Sequence, residues 1–131
     1  VLYYREIMKM KEYIGLALRT ESKPGPDLLG RLKNEARAVH AFFGLLTEVG
    51  ELADAFKRHI FYGAPLDLTN INEEIGDILW YCAILMDHVG VDFESCMAAN
   101  IRKLRSRYPH QFNEKDAVTR DLAKEKEALK G

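Results

Sequence analysis

From about Asn70 to Val89 the chain carries apolar side chains in nearly every direction around a helix: Ile71, Ile75, Ile78, Leu79, Trp80, Tyr81, Ile84, Leu85 and Met86 cover most of its circumference. A helix of this kind must be enclosed by other helices or cross a membrane. Its longest apolar run, Ile78 to Met86, is nine residues between Asp77 and Asp87, far short of the ~20 residues a membrane span requires. Enclosure is therefore the constraint. A chain of 131 residues is one domain by size, and so small a domain is expected to draw part of the cover from a second subunit.

The remaining sequence supplies further helices and no strand, since no segment alternates strictly between turn signals. A first helix is expected from about Tyr3 to Leu18, on the repeat Tyr3, Ile7, Met10, Ile14 and Leu18, before the linker Glu21-Ser22-Lys23-Pro24-Gly25-Pro26. Asp27 can cap a second helical region that reaches about Ile60, with room for a break. Its stripe of Val39, Phe42, Leu46, Val49, Ala53, Phe56 and Ile60 reads as the core face. Gly63-Ala64-Pro65 ends that region, and Gly90 can cap the end of the third helix. Asp92 can start a fourth helix running to about Arg107, halted by Pro109. The half-charged segment from Glu114 to Lys130 is expected as a solvated terminal helix. Cys82 and Cys96 sit in apolar helical stretches, as small thiols do in a reducing compartment. With no basic-then-apolar leader at the start of the chain, a cytoplasmic location is expected.

The formal charge is −1, from 20 acids and 19 bases, which gives no sign of a nucleic-acid or anionic-membrane surface. That sum is a cancellation. Residues 44–99 hold ten acids and two bases, whereas residues 100–113 hold four bases and no acid. Within the acidic region, Glu48 and Glu51 lie three residues apart, so they project about 60° from each other on one helix face. Glu74 and Asp77 repeat the arrangement. Glu48 and Glu51 share their face with Ala41, Gly44 and Ala55 rather than with lysines or glutamines, which suggests close approach by a helix or ligand. Glu74 and Asp77 head the line of Tyr81, Leu85 and His88, where a carboxylate would lose several kcal/mol of hydration unless paired.

Four carboxylates on two facing helices, without matching lysines, make a site for a hard divalent cation, Mg²⁺ or Mn²⁺ rather than Zn²⁺. A di-iron carboxylate bundle needs Glu-x-x-His pairs. Arg37, Phe56, Leu85 and Arg107 stand three residues before the four histidines, so none forms such a pair. Asn100, Lys103 and Arg107 share one face of the fourth helix and can hold a polyphosphate. From that segment alone, a basic helix end favoured by the helix dipole is an equally good reading. Beside the acidic pairs, phosphate binding is the better one. His40 lies two turns before Glu48 on the same face, placed to touch base or phosphate, with a structural role the equal alternative. Tyr62 and Trp80 can stack on a nucleobase, although aromatics at such positions more often serve core or interface.

The ordered set Glu48-x-x-Glu51, Glu74-x-x-Asp77 after 22 intervening residues, and Asn100-x-x-Lys103-x-x-x-Arg107-Tyr108-Pro109 resembles the MazG-like nucleoside triphosphate pyrophosphohydrolases over roughly residues 38 to 112. The long spacing between the pairs is similar to phage-type or single-domain members. The resemblance implies an all-α, four-helix-bundle-like fold, with the C-terminal helix as an addition, assembled as a homodimer or homotetramer. It also implies Mg²⁺-dependent hydrolysis of a (d)NTP to the monophosphate and pyrophosphate, with Mn²⁺ as a substitute ion. Glu48, Glu51, Glu74 and Asp77 become metal ligands, with Glu48 or Glu51 as catalytic base, and Asn100, Lys103, Arg107 and Tyr108 become substrate contacts, with His40 as a further candidate. Glu73, one turn before Asp77, is placed to replace or supplement Glu74. Relatives include dimeric dUTP pyrophosphatases and phosphoribosyl-ATP pyrophosphohydrolases. The rival reading is a helical nucleotide-sensing or protein-interaction module without catalysis.

Overall fold

In a computed structural model describing residues 9–131, every regular element is a helix. In chain order these are α1 (Met10–Leu18), α2 (Leu28–Asn34), α3 (Ala36–Tyr62), α4 (Leu68–Val89), α5 (Phe93–Arg107), α6 (Glu114–Val118) and α7 (Leu122–Lys130). The all-α expectation holds. Tyr3 and Ile7 of the expected first helix lie outside the described residues. The chain divides into two compact units at the boundary between Asn34 and Glu35. α1 and α2 belong to the first unit, and both present mostly exposed side chains.

In the second unit, α3 and α4 form an antiparallel hairpin. Arg37 near the start of α3 pairs with Asp87 near the end of α4 at 2.7 Å, and His88 Nε2 lies 2.7 Å from Glu35 Oε2. The turn between them follows from its residues. Gly63 adopts φ 69°, the left-handed conformation that suits glycine at a helix end, while its N–H and that of Ala64 both return to the Arg58 carbonyl. Asp67 then opens α4 by accepting from the backbone N–H groups of Thr69 at 3.0 Å and Asn70 at 3.1 Å. Gly90 and Asp92 close α4 and open α5 as their residue types suggest, Gly90 at φ 75° and Asp92 accepting from the Ser95 N–H at 2.7 Å.

Two expectations are corrected. The stripe read as the core face of α3 points away from α4: Phe42, Val49, Phe56 and Ile60 are exposed, and Leu46 is 70% exposed. The face of α3 that becomes buried is Ala38, Ala41 and Gly44. Small side chains let two helix backbones approach closely, so the small face, not the bulky one, meets α4. The C-terminal segment is two helices rather than one solvated helix. Asp121 caps a fresh start at α7 by accepting from the Lys124 N–H at 3.0 Å, and α7 docks on α5 through a buried carboxylate, Glu125, instead of an apolar stripe.

Candidate metal centre

α3 and α4 approach closely at Gly44, where a Cβ would clash with the Tyr81 ring. One turn along α3 from this crossing, Glu48 comes opposite the α4 acids. Carboxylate oxygens of Glu48, Glu74 and Asp77 all lie within 4.8 Å of one another. The three acids are close enough for a shared cation to be reached by adjustment of their side chains. The donors are all hard oxygens, without thiolate or imidazole, a set suited to Mg²⁺ or Mn²⁺. Glu74 is 4% exposed, and its Oε1 accepts from Asn70 Nδ2 at 2.7 Å.

Crowding raises the proton affinity of Glu48 and Glu51. Glu48 is pushed above the ordinary carboxyl range by partial burial first, then by its hydrogen bond to Glu74 and the charges of Glu51, Asp77 and Glu74. Glu51 is raised chiefly by the charge of Glu74, with burial, a hydrogen bond to Glu74 and the charges of Glu73 and Asp77 adding to it. Desolvation and like charge both disfavour an ionised carboxyl. The neighbouring charges that act on both are acidic, an environment that favours a cation. Glu51 is therefore next to the triad without being one of its three members. Glu73 is exposed and acts on Glu51 only through its charge.

The basic face is arranged differently from the sequence expectation. Asn100 is exposed and Lys103 half-buried, and among the described residues Lys103 has no acidic partner. Arg107 is already engaged: its Nε and Nη2 donate to Glu125 at 2.9 and 2.7 Å, and Arg120 Nη2 donates to the same carboxylate at 2.7 Å. Tyr108 stacks at a tilt on Phe112, with ring centroids 5.5 Å apart. His40 is exposed and meets the Tyr81 ring edge-on at 5.7 Å. The acids are thus gathered by α3 and α4, whereas the basic residues belong to α5, whose main packing partner is α7.

A family model described as MazG nucleotide pyrophosphohydrolase domain matches residues 41–112, more than half of the chain. The chain belongs to this family. Its MazG domain contains all four acids, together with Asn100, Lys103, Arg107 and Tyr108, while His40 and Glu125 fall outside it. Comparison with curated proteins and with solved structures gives no match. Two residues that hydrogen-bond the sequence candidates escaped sequence reasoning: Asn70 on Glu74 and Glu125 on Arg107. Asn70 had a local signal, being one helical turn before Glu74. Glu125 had only an indirect one, a run of four bases from Arg102 to Arg107 without an acid of its own.

Proposed function

We propose that this protein is a Mg²⁺-dependent nucleotide pyrophosphohydrolase, cleaving a (d)NTP to the (d)NMP and pyrophosphate as part of nucleotide-pool house-cleaning. The observation that carries the reading is the convergence of Glu48, Glu74 and Asp77 within 4.8 Å at a close helix crossing, inside a domain of a nucleotide pyrophosphohydrolase family. These residues and Glu51 would hold Mg²⁺, or Mn²⁺ in its place. The ion when bound neutralises triphosphate charge and polarises the attacked phosphorus. Glu51 stands beside the triad without being one of its three members, which suits a carboxylate that positions the attacking water and takes its proton. Glu48 is the second candidate for that role. Lys103 and Asn100 would hold phosphate, with Tyr108 and His40 as sugar or base contacts. Arg107 joins them only on release from Glu125; otherwise it orders the end of α5.

The exposed stripe of α3 supports a homodimer or homotetramer, because Phe42, Leu46 and Val49 have no cover within the described chain. No described helix is long and apolar enough to cross a membrane. We place the protein in the cytoplasm, with a nucleotide rather than a nucleic acid as its partner.

Pyrophosphate release from a panel of NTPs and dNTPs, with and without Mg²⁺, tests the activity. Turnover should require the cation and disappear in Glu51→Gln and Asp77→Asn, with helical content retained. Nucleotide binding without turnover would sink the catalytic reading in favour of the sensing module.

A further inference from the structure

We propose that Asn70 is a positioning residue that aims the Glu74 carboxylate at the cation. The proposal rests on the metal-binding reading above. Asn70 is the third residue of α4, and its own backbone is fixed because its N–H donates to the capping Asp67 Oδ1 at 3.1 Å. From there its Nδ2 reaches one turn along the helix to Glu74 Oε1 at 2.7 Å. The cap of α4 and the buried carboxylate are thereby joined through Asn70.

The chemistry of the donor matters as much as its place. A carboxylate has about four lone-pair sites, so one amide hydrogen bond on Oε1 fixes its rotation and leaves room for a cation. An amide is neutral. It orients the carboxylate without cancelling the charge that attracts the ion, whereas an ammonium or guanidinium at the same position would compete for it. The other buried glutamate of this chain shows the contrast: Glu125 accepts from Arg107 and Arg120 and is neutralised by them. A hydrogen bond of the same i to i+4 spacing on an open helix face would matter little. Here the acceptor is 4% exposed, so water cannot easily replace the amide when it is removed.

The test uses the full chain, Mn²⁺ alone and two variants, Asn70→Ala and Asn70→Leu, the second keeping side-chain volume without a donor. Mn²⁺ affinity, read by titration calorimetry, should fall about 10- to 100-fold in both, the range for loss of a partner that orients a ligand. The rise in melting temperature on adding Mn²⁺ should shrink in parallel, whatever each variant's melting temperature without the ion. A purely structural role would lower the ion-free melting temperature and leave Mn²⁺ affinity intact. Wild-type affinity in both variants would overturn the proposal while leaving the metal site standing. Absence of Mn²⁺ binding by the unaltered protein would overturn both.

Discussion

Glu74 and Glu125 are each 4% exposed, and the chain satisfies them by opposite means. Glu125 lies between two guanidiniums, whose hydrogen bonds, Arg107 first and Arg120 second, lower its pKa from the ordinary 4.5 to about 2. A carboxyl whose pKa falls on folding contributes stability above its unfolded value, and that contribution is lost as pH falls through the folded one. Glu125→Gln should therefore lower the melting temperature by several degrees at pH 7, and the gap to the unaltered protein should close between about pH 4.5 and 2. Thermal melts across that range check it; a gap independent of pH would show that shape rather than charge matters at this position. The spacing of the acids made the clustering of Glu48, Glu74 and Asp77 readable, because residues three apart share a helix face wherever the helix lies. Nothing comparable marks Glu125. Its two partners stand 18 and 5 residues away, and the longer pairing exists only once α7 folds back on α5.

At the scale of the helices, the ends were more legible than the faces. Gly63, Gly90 and Asp92 act through local backbone geometry and stand where their residue types suggest. The bulky apolar stripe of α3 is not the face that packs on α4; the small residues beside Glu48, whose types signal close approach, are. The crossing with α4 is instead set by Ala38, Ala41 and Gly44, which permit close approach. Gly44→Ala tests this directly. The added methyl gains up to ~1 kcal/mol in helix propensity but meets the Tyr81 ring, and overpacking costs about 1–3 kcal/mol. The expected balance is a net loss of stability of about 1 kcal/mol or more, measured by urea unfolding. A more stable variant would mean that Tyr81 swings aside freely.

On the scale of the whole molecule, α4 keeps part of its apolar circumference exposed. Leu79 and Trp80 on α4 are 52% and 55% exposed, alongside the uncovered stripe on α3. Association of copies is the expected outcome, and Leu46→Glu should dissociate the assembly without loss of helicity, as seen by sedimentation velocity. A monomeric unaltered protein at micromolar concentration would end the homo-oligomer reading. The acid-bearing face and the apolar stripe of α3 are centred roughly 150° apart around the helix. Sequence change is consequently partitioned along this helix. If copies associate through the stripe, substitutions there among apolar residues would alter how they meet without touching Glu48 or Glu51. On the opposite face Gly44 has no room for a larger side chain, because a Cβ there meets the Tyr81 ring. Distant sites of this sort contribute nearly independently, so assembly and chemistry can diverge separately on a single helix.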